Sequence, residues 1–171
     1  MSRKSCLALA LILALALSAC ASREEAEQGG IRLWFPVDDS TAGYGHGPAL
    51  SSQPYEGEAP PQPEALLSAL LAGPTQEGLR SPFPRGVALR QCAMDDEQPG
   101  VLLVNLSEQY GALTDVSLTL ADYCIVLTLS QAEGVEIVEI AAEGRRVSYR
   151  SHQQLAAREA ALWDELADAA S

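Results

Sequence analysis

Residues 6–17 form an unbroken run of 12 apolar residues directly behind Arg3 and Lys4, and this run decides where the rest of the chain folds. A helix needs about 20 apolar residues to cross a bilayer, so the run is too short for a permanent span. Its positive start, its length and its small-residue ending are those of a cleaved secretory signal. Residues 1–19 are therefore expected to be missing from the mature chain, which folds outside the cytoplasm.

Leu17-Ser18-Ala19-Cys20 closes the run. It resembles the bacterial lipobox, in which small residues precede a cysteine that is diacylated and becomes the new N-terminus. Each buried methylene contributes about 0.8 kcal/mol, so two or three acyl chains on Cys20, palmitate among them, hold a protein on a membrane essentially permanently. The expected location is the cell membrane, lipid-anchored, on the extracytoplasmic side. Loss of Arg3 and Lys4 leaves nine arginines and no lysine against 23 acids, a net charge of −14. Such a chain has no electrostatic route to nucleic acid and is repelled by anionic headgroups. The acyl chains must then supply the membrane attachment, and residues 20–29, with Glu24, Glu25 and Glu27, read as a solvated lipidated linker.

Roughly 150 residues remain, enough for one core without metals or multiple staples. The expected division is one domain over 30–150 and a helical tail over 151–171. Within the domain, Ile31, Leu33 and Phe35 alternate with Arg32 and Trp34 ahead of Pro36, which predicts a half-buried first strand. Residues 38–63 are polar and dense in Gly and Pro, so they exclude a helix and hold at most one weak extended segment over 49–55. At Pro63 the pattern changes. Proline fits the first position of a helix, Glu64 suits the positive end of its dipole, and Leu66, Leu67, Leu70 and Leu71 follow before Gly73-Pro74 stops it.

Residues 87–94 and 101–106 read as a hairpin around the turn-forming stretch 95–100. A second helix is expected from Asp115 or Ser117 to Gln131, because Leu120, Tyr123, Cys124, Val126, Leu127 and Ser130 recur at helical intervals. Thr114 or Asp115 can cap it, and Gly134 lies beyond its end. Ile125, Val126 and Thr128 lower its propensity, so packing must sustain it. Residues 135–140 mark a third strand, Gly144 a turn and 147–149 a hairpin partner. In the tail, Leu155, Leu162, Trp163 and Leu166 lie on one narrow stripe, which predicts an amphipathic helix.

Several short motifs stand in one order: residues 31–36, Leu70-Leu71-Ala72-Gly73-Pro74, Pro82-Phe83-Pro84-Arg85-Gly86, Val104-Asn105-Leu106-Ser107, Val126-Leu127-Thr128-Leu129-Ser130-Gln131, residues 135–138, and Glu143-Gly144. Together they resemble the GerMN domain, the sporulation and spore-germination domain of bacterial envelope lipoproteins. The resemblance implies an α+β fold, a single compact domain with two helices packed on one face of a mostly antiparallel sheet. It also implies a ring-building interaction module on envelope-spanning assemblies, although relatives also resemble general cell-surface lipoproteins. Family members often carry Asp where Asn105 stands, Thr where Ser130 stands and Asp where Glu143 stands. Gly73-Pro74, Gly86 and Ser107 read as folding positions, with the Ser107 hydroxyl offered to the local backbone.

Catalytic chemistry has little to draw on. The two histidines, His46 and His152, have no acid or cysteine at a recognisable interval. No phosphate-cradling glycine pattern or zinc-ligand spacing is present. Asp95-Asp96-Glu97 lacks the regularly spaced oxygen ligands of a calcium loop, and Asn105-Leu106-Ser107 matches a glycosylation acceptor by chance. No enzymatic activity, cofactor or metal is expected. With Cys6 removed and Cys20 acylated, Cys92 and Cys124 remain, either as a disulfide, which is allowed outside the cytoplasm, or as two packed thiols. Two functions fit. One is an interaction module that presents a helix face or sheet edge to another envelope protein. The other is a lipoprotein that captures a cell-wall fragment or small solute, with Trp34, Tyr44, His46 and Tyr55 as an aromatic lip.

Overall fold

Leu33 and Phe35 are buried while Arg32 and Trp34 beside them are half-buried, so the alternation in the sequence becomes a strand, β1 (Arg32–Pro36). The structure, a computed structural model, describes residues 30–38, 48–146 and 154–160. β1 pairs antiparallel with β2 (Leu50–Pro54), Arg32 opposite Pro54 and Pro36 opposite Leu50. The weak extended segment expected near 49–55 is therefore a strand. Together β1 and β2 make a sheet of their own, which corrects the expectation of one sheet. The side of β1 away from β2 is met by helix side chains, so the sheet cannot grow there.

Helix α1 (Pro63–Ala72) begins with proline in its first turn and ends at Gly73, whose N–H bonds the Leu70 carbonyl at 3.1 Å. It buries Leu66, Leu67 and Leu70. β3 (Leu89–Met94) and β4 (Val101–Leu106) form the expected antiparallel hairpin, irregular between Leu89 and Gln91. Its turn is held by Asp95, whose carboxylate accepts the Glu97 N–H at 2.8 Å and the Gln98 amide at 3.1 Å. The acidic run Asp95-Asp96-Glu97 thus closes a turn through local side-chain bonding.

After a 3₁₀ turn (Glu108–Ala112) comes α2 (Asp115–Leu129). Thr114 occupies the cap position, but its side chain makes no capping bond, contrary to expectation, and Asp115 has a left-handed φ of 50°. α2 buries Leu118, Ala121, Cys124, Ile125, Val126 and Leu129. With the apolar side chains this widely distributed around it, the helix is sustained by packing, as its β-branched content requires.

β5 (Ile137–Ala142) starts two residues later than its apolar pattern and runs parallel to β4, Leu102 opposite Val138 and Leu106 opposite Ala142. A parallel pair needs a long crossover, and residues 107–136 supply it. β4–β5 is the one parallel pairing among the described strands, and with β6 (Arg145–Arg146) and β7 (Gln154–Ala156) both antiparallel to β5 the sheet is mostly antiparallel, as expected. The second sheet has five strands in the order β3-β4-β5-β6, with β7 also on β5. Residues 147–149, read as a hairpin partner, lie outside the described residues. The beginning of the tail is a strand followed by a 3₁₀ turn (Ala157–Glu159), not a helix, and residues 161–171 lie outside the described residues.

Leu102, Val104 and Leu106 of β4 and Val138, Ile140 and Ala142 of β5 are buried and lie opposite one another on one face. α1 packs along β3, and α2 packs on β5, on β1 and on α1. Near the start of the crossover, the fully buried Tyr110 donates its hydroxyl to the carboxylate of Asp122 on α2. Its ring tilts against Phe83, the centroids 6.4 Å apart.

Candidate functional site

Three surface features follow from this topology: a strand edge that is covered, a strand edge that is open, and a cleft. The covered edge belongs to β1. Gln131 accepts the Arg32 N–H on Oε1 at 2.9 Å and donates Nε2 to the Arg32 carbonyl at 2.7 Å. Thr128 Oγ1 accepts the Trp34 N–H at 3.1 Å. Arg32 and Trp34 are two apart, so their backbone groups share one side of the strand, and Thr128 and Gln131 bond three of these groups.

β3 differs. It lies at the end of the larger sheet, and among the described residues nothing pairs with its outer side. The Asp95 N–H bonds the Val101 carbonyl at 2.8 Å with Ala93 opposite Leu103, so the alternation of an antiparallel ladder turns the backbone groups of Cys92 and Met94 outward. Gln91, Ala93 and Met94 are exposed, Met94 at 40%. The strand's one charged side chain, Arg90, is drawn off to Glu143 at 3.1 Å. Charges and prolines on an edge block pairing with another chain, and residues 91–94 carry neither.

A cleft of about 340 Å³ opens between the end of α1 and the end of β2, lined among others by Leu33, Gln53, Tyr55, Glu56, Ala69 and Ala72. Gln53, 5% exposed, holds it in shape: its Oε1 accepts the N–H groups of Thr75 and Gln76 at 2.9 and 3.1 Å. Tyr55 folds over Gly57 so closely that a Cβ on residue 57 would lie 2.0 Å from the tyrosine oxygen. A larger residue there would displace the ring.

The residues singled out in the sequence have separate fates. Cys20, Tyr44, His46 and His152 lie outside the described residues. Trp34 is half-buried on β1 and does not line the cleft, whereas Tyr55 does. Cys92 is half-buried on β3 and Cys124 is buried in α2, and both are free thiols in this structure. Burial pushes the Cys92 thiol up to about 11, with the Glu64 carboxylate adding to the rise. The Cys124 thiol is pushed up to about 12 by burial, against the opposing charge of Arg80. Neither is an activated nucleophile. Among the described residues no group of three or more His, Cys, Asp or Glu is placed to hold a metal ion. No described helix is long and apolar enough to cross a membrane.

The motif residues meet in space. Asn105 Oδ1 accepts the Gly144 N–H at 2.8 Å, and the Glu143 N–H bonds the Leu106 carbonyl at 2.8 Å. Ser107 accepts the Ala88 N–H on its hydroxyl at 2.9 Å, while its own N–H bonds the Ala88 carbonyl at 2.9 Å. Its hydroxyl therefore ties two distant segments, a correction to the local role expected for it.

An α+β domain of two sheets and two helices with these motif contacts defines the class. The sequence pattern of the Germane family, described as sporulation and spore germination, matches residues 34–148, and the chain belongs to that family. The fold is similar to that of the first GerMN domain of the sporulation protein GerM from Bacillus subtilis, with 13% identity and a TM-score of 0.52 over 75% of this chain and 98% of that one. The tandem GerMN domains of the same protein give 12% identity and a TM-score of 0.51 over 73% of this chain and 45% of that one. A crystal structure described as "Putative Lipoprotein from Clostridium perfringens" gives 17% identity and a TM-score of 0.51 over 75% of this chain and 87% of that one. No curated protein matches.

Proposed function

We propose that the chain is a lipid-anchored envelope protein, held on the extracytoplasmic side through Cys20, whose domain binds another envelope protein in sporulation, germination or envelope assembly. It works by binding and not by catalysis. The lipobox-like 17–20 segment and the likeness to the clostridial lipoprotein support the anchoring. The observation that carries the binding role is the contrast between edges: β1 is covered by Thr128 and Gln131, while β3 presents outward backbone groups and, over residues 91–94, uncharged side chains. Such an edge accepts an extended segment as an added strand.

Photo-crosslinking in the intact envelope tests this. A crosslinker at Met94 should give a discrete protein adduct that Ala93→Lys abolishes, while one at Val116, exposed at 71% on α2, should not. Equal adducts from both positions, or none from Met94, contradict the proposal. A second reading, capture of a small solute or wall fragment, is favoured by the cleft beside Tyr55.

A further inference from the structure

The chemistry of the cleft narrows what it can hold. Its wall includes Ala69, Ala72 and Gly73 at the C-terminal end of α1. The last carbonyls of a helix have no partner within it and carry the negative end of its dipole. Here the Leu70 carbonyl accepts the Gly73 N–H, and no basic residue stands in the last turn. Glu56 and Tyr55 line the same space, and among the described lining residues there is no Lys, Arg or His. Helix end, carboxylate and aromatic ring all favour a cation, and all disfavour an anion. The rest of the wall is mostly apolar, with Leu33, Pro54, Ala69 and Ala72 beside Gln53 and Thr75, and its apolar part suits a slim hydrocarbon stem.

We propose that the cleft binds a primary alkylammonium, a cationic head near Glu56 and Tyr55 on an unbranched aliphatic stem against Ala69 and Ala72. This rests on the second reading above, that the cleft is a ligand site, and is independent of the β3 edge. Two sources carry this chemistry: the side chain of a lysine in a peptide and a small free diamine.

The test is a titration of the full-length protein in detergent micelles, read by the ¹⁹F signal of 3-fluorotyrosine at position 55. The probes are Nα-acetyl-lysinamide, 1,5-diaminopentane, Nα-acetyl-norleucinamide and glutarate. The expected result is a saturable shift with the two ammonium probes alone, at least tenfold weaker in Glu56→Gln and altered in Gly57→Ala, which forces the Tyr55 ring to move. Tighter binding of the lysinamide assigns a peptide source, and tighter binding of the diamine a free one. Equal binding of norleucinamide or glutarate overturns the ammonium assignment but leaves the cleft a ligand site. No saturable shift with any probe overturns both.

Discussion

Gln131 satisfies both backbone groups of Arg32, accepting its N–H at 2.9 Å and donating to its carbonyl at 2.7 Å. One side chain at the end of α2 thus takes the place of a third strand beside β1. A partly buried backbone group left without its partner costs about 1–3 kcal/mol. Gln131→Ala should therefore lower the unfolding free energy by about 2 kcal/mol or more, and Thr128→Val, which orphans only the Trp34 N–H, by about 1 kcal/mol. Urea denaturation with an unchanged slope would measure both, and a neutral Gln131→Ala would contradict this role.

Tyr110 and Asp122 form a second interior link, a buried phenol donating to a buried carboxylate. Tyr110→Phe removes that donor while keeping the ring, and should destabilise by about 1–3 kcal/mol. In a double-mutant cycle with Asp122→Ala, the two losses should add to more than the double variant shows, since both delete one interaction. Strict additivity would count against the link.

At the β5–β6 turn, Glu143 and Gly144 have φ values of 48° and 68°, the two positive angles of a type I′ hairpin turn, which favours Asn-Gly. Glutamate is strained at the first position. Replacing it sacrifices the Arg90 ion pair, but both partners are about half exposed, and such a pair contributes about 0–1 kcal/mol. Relief of a non-glycine residue from the left-handed region is worth about 1–2 kcal/mol. Glu143→Asn should raise stability by a few tenths to about 1 kcal/mol, measured as a higher urea midpoint.

The two thiols give a pH signature. Both are raised in the folded state from an ordinary value of 9.0, Cys92 to about 11 and Cys124 to about 12. The neutral forms are therefore favoured by folding. That stability is fully present below pH 9 and is lost as pH rises toward 11 and 12, because the unfolded chain releases its protons first. Unfolding free energy should fall above pH 9, less steeply in Cys124→Ala. At pH 8 the folded chain should resist iodoacetamide while the unfolded chain labels at two thiols, Cys92 yielding before Cys124. Rapid labelling of Cys124 in the folded chain would contradict the burial argument.

Local signals in the sequence located β1, α1, the β3–β4 hairpin and α2: alternation for β1, proline and glycine boundaries for α1, the turn-forming stretch 95–100 for the hairpin and helical spacing for α2. It could not locate neighbours. The parallel pairing of β4 with β5 depends on how α2 crosses over, and Gln131 meets Arg32 across 99 positions. Residues 154–156 illustrate the other limit: alanine-rich sequence favours helix locally, but Leu155 opposite Val138 and Ala156 opposite Ile137 are buried as strand. Tyr55 was visible as a candidate wall for a ligand. The cleft itself was not, because the other wall comes from α1 and no local pattern brings Ala69 and Ala72 to Glu56. The open edge of β3 was equally hidden, since an edge exists only once the order of the sheet is known.

The edge claim is tested most directly by amide hydrogen exchange at Cys92 and Met94, compared between the purified full-length protein and the protein in isolated cell envelopes. In the purified protein these two outward amides should exchange quickly while those of β4 are protected. In the envelope their exchange should slow at least tenfold as a partner strand takes up the edge. Exchange equally fast in both settings would contradict strand addition at β3.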